Sequence, residues 1–215
     1  MVPPPALQTV PTDTWVEIAW QDFLGFADDP TLVSGRFYYD QGCMRIEMSP
    51  LGSAHSQDNS IVSTVIVLYA AIKNIAIKEL TNPSLRKAEL REAQPDIAYY
   101  VGKNLSFPPR NNAPVNLNEL DPPTLVVEVA ASSLEDDTNR KQQLYQRMGV
   151  QEYWVVDVNA SKVIATALTP TETTSIRESQ VLPGLAISVV EDALVRSHTE
   201  DDGAISRWFI ATLNR

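Results

Sequence analysis

Cysteine is nearly missing: Cys43 is the only one in 215 residues, so no intramolecular disulfide can form and a cysteine-built zinc site is excluded. Histidine is almost as scarce, with His55 and His198 alone, which rules out a histidine-rich metal motif. No apolar run reaches the roughly 18 residues that a bilayer span needs. The segment Met1 to Val10 has no basic region and no apolar block of a secretory signal, so the expected location is the cytoplasm, whose reducing conditions suit a lone thiol. Positive charge is also short: 17 Lys and Arg stand against 27 Asp and Glu, a formal net charge of −10. That balance opposes tight nonspecific binding to duplex nucleic acid, because phosphate affinity rests on basic side chains that displace counterions. A carboxylate metal site would hold part of the negative charge locally, offset by bound cations.

What is present is a globular composition, 44% hydrophobic and 20% charged, with length enough for one core without cross-links. Pro3, Pro4, Pro5 and Pro11 mark residues 1–14 as an extended Pro-rich arm, and residues 15–215 read as a single domain. Thr14 caps an expected helix in which Trp15, Ile18, Ala19, Phe23 and Phe26 recur at helical spacing. Residues 37–40 and 44–49 predict two strands around a tight turn at Gln41 and Gly42, with Ile46 and Met48 on one face and Arg45 and Glu47 on the other. Ile61, Val65, Leu68 and Ile72 predict a long packed helix from His55 to about Lys78, although their β-branched neighbours leave a strand over 61–68 open.

Further along, strands are expected at 85–90 and 96–101, then a polar loop over 102–121, then the near-continuous apolar run of a central strand at Thr124 to Ala130. Asp136, Asp137 and Thr138 open a helix that Gly149 ends after Met148, and Glu152 to Val158 form the next strand. Residues 163–168, the stretch at Ile176, and 186–190 predict a strand-rich extension with a turn at Pro183 and Gly184, closed by a helix over 205–213. The order points to an α/β or α+β fold with a mixed central sheet flanked by helices.

Glu128 carries the chemical information. A carboxylate among Leu125, Val126, Val127 and Val129 costs several kcal/mol to bury bare, so it must be protonated, paired or bound to a cation. Asp96 begins a neighbouring strand after Pro95. Two carboxylates at the same end of adjacent strands suit Mg²⁺ or Mn²⁺, which take one or two carboxylates together with waters and phosphate oxygens. Such an ion can activate water against a phosphodiester. A lysine two places after Glu128 would share its side of the strand, but that place is Ala130; Lys141 and Tyr145, four apart on the next helix, could supply the missing cation from there.

Residues 92–100 (Glu-Ala-Gln-Pro-Asp-Ile-Ala-Tyr-Tyr), 122–129 (Pro-Pro-Thr-Leu-Val-Val-Glu-Val), Lys141 with Tyr145, and 149–157 (Gly-Val-Gln-Glu-Tyr-Trp-Val-Val-Asp) together resemble the Uma-type family of restriction-endonuclease-like proteins, of the PD-(D/E)XK nuclease superfamily. The resemblance runs from about Trp15 to Val190, and the Glu47 to His55 segment is similar to the family's earlier Glu-then-His element. It implies a restriction-endonuclease-like core and a divalent-metal endonuclease acting on DNA, with Asp96 and Glu128 as metal ligands, Glu47 as a further acid and Lys141 as the displaced lysine. Where the family commonly has Ser two places after its Glu-Val, this chain has Ala131 followed by Ser132.

Each residue also has a plainer assignment. Glu128 could be a structural acid paired with Arg or Lys, Asp96 a turn cap, Lys141 part of a solvated helix face beside Arg140, and Tyr145 core packing. Glu47 could pair with Arg45 on its own strand face, and His55 could cap a helix. On those assignments the chain is a catalytically inactive nuclease fold that binds a partner, a reading favoured by the net charge and by Ala130. A homodimer would suit double-strand cleavage, and no residue marks its interface.

Overall fold

The computed structural model describes residues 11–32, 35–48, 52–103 and 106–213. In chain order the elements are β1 (Trp15–Glu17), α1 (Trp20–Ala27), β2 (Arg36–Asp40), β3 (Cys43–Glu47), α2 (Ser53–Ile72), β4 (Ile77–Thr81), β5 (Leu85–Lys87), β6 (Arg91–Ala93), β7 (Ile97–Val101), β8 (Val115–Asn116) and β9 (Leu125–Ala130). There follow α3 (Leu134–Asp136), a π-helical turn (Asp137–Lys141), α4 (Gln142–Met148), β10 (Glu152–Asp157), β11 (Lys162–Leu168), β12 (Thr173–Ser175), α5 (Ile187–Arg196) and α6 (Asp202–Leu213).

The fold is mixed α/β, with two six-stranded mixed sheets flanked by helices. The first runs β1-β3-β2-β6-β5-β8 and the second β12-β11-β10-β9-β7-β4. Among the described residues only β5 with β8 and β9 with β10 pair in parallel; the crossover through α3 and α4 supplies the long connection that the β9–β10 pairing requires.

Strand alternation divides the interior into layers. Leu125, Val127 and Val129 of β9, with Ile97, Tyr99 and Val101 of β7, face the main core, where α2, α5 and α6 pack. Val126 and Ala130, with Ala98, face Leu144, Tyr145 and Met148 of α4 and also Tyr38, Leu85 and Ala93 of the first sheet. That sheet covers its far side with α1, burying Phe23, Phe37, Tyr39, Met44 and Ile46. The hairpin is therefore two-faced, as its period of two requires: Phe37, Tyr39, Met44 and Ile46 build a core, while Arg36, Tyr38, Arg45 and Glu47 share the opposite face, paired Arg36 to Glu47 and Tyr38 to Arg45.

Several sequence expectations need correction. Trp15 to Glu17 is a strand pairing with β3, not the first turn of a helix, and α1 begins only at Trp20. Trp15 lies across β3, where its Nε1–H donates to Asp136 Oδ1 at 2.7 Å. The long helix stops at Ile72, before Asn74 with a φ of 53°, and the next residues form β4 against β7. The strand expected over 85–90 is cut at Lys87 by a turn with Glu89 at φ 63°. Residues 187–196, expected to open with a strand, form a helix: Ile187, Val190, Glu191 and Leu194 fall on one buried face, a helical period that the β-branched run conceals. Of the Pro-rich arm, residues 1–10 lie outside the described residues, as do 49–51 of the loop after β3. Among the described residues no helix is long and apolar enough to cross a membrane.

Burial on one helical face predicts a sharp contrast along α2. Ile66 is fully buried while Val67 is 40% exposed, so Ile66→Ala should cost about 2–5 kcal/mol in urea unfolding and Val67→Ala within about 0.5 kcal/mol; equal costs would rule out this orientation of the helix.

Candidate functional site

Continuing the β7–β9 register by one residue, from Ile97 opposite Val127, places Asp96 opposite Glu128. The two carboxylates are stitched to each other's backbone: Val129 N–H donates to Asp96 Oδ2 at 2.8 Å, and Asp96 N–H to Glu128 Oε2 at 3.4 Å. Both side chains are essentially buried. Both point to the layer between the sheets, because they share the parity of Val126 and Ala98.

That layer answers Glu128 from two directions. From α4, Tyr145 donates its hydroxyl to Glu128 Oε1 at 2.6 Å. From β2, the Tyr38 hydroxyl lies 3.3 Å from the same oxygen while also reaching the Gln94 carbonyl at 2.9 Å. Lys141 projects from the π-helical turn with its Nζ 2.8 Å from Glu47 Oε1, 2.8 Å from Asp137 Oδ1 and 4.0 Å from Glu128 Oε1, and 4.2 Å from the centre of the Tyr38 ring. Arg45 Nε–H donates to Glu47 at 2.8 Å. On the Asp96 side, Arg36 Nη2 is 2.5 Å from Oδ1 and His55 Nε2 is 3.4 Å from it.

The structure thus gathers Asp96, Glu128, Lys141 and Glu47 in one buried cluster and adds Tyr145 and His55. Lys141 is almost wholly buried, which removes the solvated-face assignment. Glu47 does pair with Arg45, and it pairs with Lys141 as well. Sequence reading missed Arg36, Tyr38 and Asp137. The strand parity shared with Glu47 was the available signal for the first two, and the four-residue spacing to Lys141 for Asp137. His198 lies elsewhere, its Nε2 3.1 Å from Ser161 Oγ.

Five carboxylates, of Glu47, Asp96, Glu128, Asp136 and Asp137, meet three fixed cations, of Arg36, Arg45 and Lys141. The shortage of positive charge shows at Glu128 and at Asp137, both of whose carboxyls are raised, by burial first. Burial and the neighbouring Asp96 and Asp137 carboxylates push Glu128 up to about 8 despite Lys141. Asp96 goes the other way: burial opposes its ionisation, but His55, Arg36 and the Val129 N–H hold it at about 2. The two titrate as a pair with one proton held on Glu128, the usual outcome for facing carboxyls. Burial would strip Lys141 of its proton, yet the Asp137 and Glu47 carboxylates, each 2.8 Å away, keep the ammonium charged.

These donors fit a hard divalent cation. Asp96 Oδ1 and Asp137 Oδ1 are buried carboxylate oxygens with no directed hydrogen bond, and all the acidic donors are oxygens. Among the described residues no three or more His, Cys, Asp or Glu side chains form a ready cage, so an ion here would rest on one or two carboxylates and its own waters.

The sequence model of a family described as Uma2, putative restriction endonuclease, matches residues 20–197. The chain belongs to the Uma2 family. A crystal structure of a putative nuclease belonging to DUF820 from Anabaena variabilis ATCC 29413 superposes with a TM-score of 0.56 at 17% identity, covering 82% of this chain and 99% of that one; at that identity the likeness speaks for the fold alone. No curated protein matches the chain. Uma2 membership supports a nuclease, and the matched span includes every member of the buried cluster.

The raised Glu128 carboxyl has a thermodynamic consequence. The folded protein holds a proton that the unfolded chain releases, so this group's contribution to the stability of the metal-free protein declines as pH rises from about 4.5 to about 8. An ion binding at Glu128 must expel that proton. Calorimetric Mn²⁺ titrations should therefore show affinity rising by up to about tenfold per pH unit below pH 8, with close to one proton released per ion. A pH-independent affinity would contradict the assignment.

Proposed function

We propose that the protein is a divalent-metal-dependent endonuclease hydrolysing phosphodiester bonds in DNA. The observation that carries this reading is the Asp96–Glu128 pair, facing across β7 and β9 with a charged lysine beside it. Asp96 and Glu128 would hold Mg²⁺ or Mn²⁺, as restriction-endonuclease-like families generally do. Bound there, the ion would lower the pKa of a coordinated water and offset negative charge gathering on the phosphate. Tyr145 and Tyr38 engage Glu128 Oε1 and so leave Oε2 directed toward Asp96. Lys141 would orient and polarise the attacking water, while Glu47, Asp137 and the Tyr38 ring hold its ammonium in place.

The approach of an anionic substrate to an acidic protein needs local positive charge. A cleft of about 880 Å³ is lined by Lys78, Arg86 and Arg110 together with Asp28, Glu79 and Glu92, and its wall includes Asn82, whose N–H donates to the Asp96 carbonyl at 2.9 Å. Arg86 is spent on Asp28 and Glu92. Lys78 and Arg110 are exposed and form no ion pair among the described residues, which makes them the groups suited to backbone phosphates.

One observation favours the competing reading of an inactive, partner-binding nuclease fold: the Lys141 ammonium sits closer to Glu47 and Asp137 than to Glu128. Incubation with supercoiled, linear and single-stranded DNA in Mg²⁺, Mn²⁺ or EDTA at low salt separates the two. Wild type should cleave only with metal, and Glu128→Ala or Asp96→Ala should lose on the order of a thousandfold or more in rate. Cleavage of none of these substrates by wild type would favour the binding module. Lys78→Ala and Arg110→Ala should each weaken DNA binding across sequences and lower the salt slope by about one; an unchanged slope would place the DNA elsewhere.

A further inference from the structure

The cation nearest Asp96 is Arg36, a residue with no assigned role. It stands at the first position of β2, opposite Glu47 in the register, and its side chain reaches past the hairpin to Asp96 and Glu128. Nη2 is 2.5 Å from Asp96 Oδ1, and Nη1 is 4.0 Å from Glu128 Oε2. The contact is charged but badly aimed: neither Arg36 Nη2 nor Asp96 Oδ1 has a directed hydrogen bond, although both atoms are buried. Other arginines of this protein behave differently. Arg45 aims its Nε–H at Glu47, and Arg86 grips Glu92 with Nε and Nη2 together. A structural arginine gains its strength from that fork geometry. Arg36 supplies charge to Asp96 without the fork, at an oxygen flanked on its other side only by His55.

We propose that Arg36 is the resident counter-ion of the Asp96–Glu128 pair in the metal-free protein and the group that a divalent ion displaces, so that Arg36 sets how tightly the ion binds. The inference rests on the reading of that pair as a metal site. Asp96 Oδ1 is the oxygen both cations need: the guanidinium occupies it at contact distance, and it is the unbonded carboxylate oxygen of the pair. The Arg36 side chain is 14% exposed where the Asp96 side chain is 1%, so of the two partners Arg36 is the one nearer solvent and the one that can move, and a guanidinium is less costly to desolvate than an ammonium. An arginine that merely buttressed the site would do the opposite, and its removal would loosen metal binding.

The test is Mn²⁺ binding followed by the electron paramagnetic resonance signal of the free ion, on wild type, Arg36→Gln and Glu128→Gln, without DNA. Arg36→Gln should bind Mn²⁺ more tightly, by about tenfold, the effect of removing one competing opposite charge; Glu128→Gln should lose saturable binding. Unchanged or weaker binding by Arg36→Gln, with wild type binding that depends on Glu128, overturns the role of Arg36 and leaves the metal site standing. Absence of saturable binding in both wild type and Arg36→Gln overturns the metal site and this inference together. A second measurement needs only the wild type and the charge-conserving Arg36→Lys. In protein carrying ¹⁵N-arginine, Mg²⁺ should shift the Nε–Hε resonance that Arg36→Lys lacks, and a resonance indifferent to saturating Mg²⁺ overturns displacement.

Discussion

A glutamate in the middle of a fully covered strand is the constraint on which the rest of this structure turns. Glu128 sits in β9 with β7 and β10 on either side, where water cannot solvate it, and an unanswered carboxylate there would cost several kcal/mol. Three parts of the facing layer answer it. The α4 helix brings the Tyr145 hydroxyl, the π-helical turn brings Lys141, and the β2–β3 hairpin brings Tyr38 and Arg36. The first sheet is thus more than a cover for apolar surface, since one face of its hairpin is a row of polar groups delivered to the other sheet's carboxylates.

The π-helical turn repays scrutiny for the same reason. Such turns are uncommon and concentrate at functional sites. Here the turn carries Asp137 at its start and Lys141 at its end, joined at 2.8 Å, and Ser133 and Tyr153 tether Asp137 through its carboxylate and its carbonyl. The lysine that strand geometry would place at position 130 comes instead from a helix, held by two acids beside the carboxylate pair. With carboxylates in excess of the cations, the cluster keeps a proton on Glu128, the carboxyl for which the proposed metal ion would have to compete.

Several of these residues were visible before any fold was known. Glu128 announced itself by interrupting an apolar run, Asp96 by following Pro95 at a strand start, and Lys141 and Tyr145 by their spacing on one helix. The errors came where local pattern was ambiguous. Trp15 fits a helical period with Phe23 and Phe26, yet pairing with β3 and the bond to Asp136 draw it into a strand. Ile187 to Val190 looks like a strand because β-branched residues favour strands in isolation, whereas packing against α2 rewards the helical face they share with Leu194.

Amino-acid order alone determined the periodicities, the turn at Gln41 and Gly42, the buried acid in β9 and hence the chemistry that its neighbourhood must supply, because burial and backbone preference act over a few residues. Which side chains meet that need was decided by the tertiary structure. Arg36, Tyr38 and His55 lie 92, 90 and 73 residues before Glu128 in the chain. Nothing local tells that the polar face of one hairpin and the first turn of α2 close over the same two carboxylates, since that follows only from how two sheets and a helix pack.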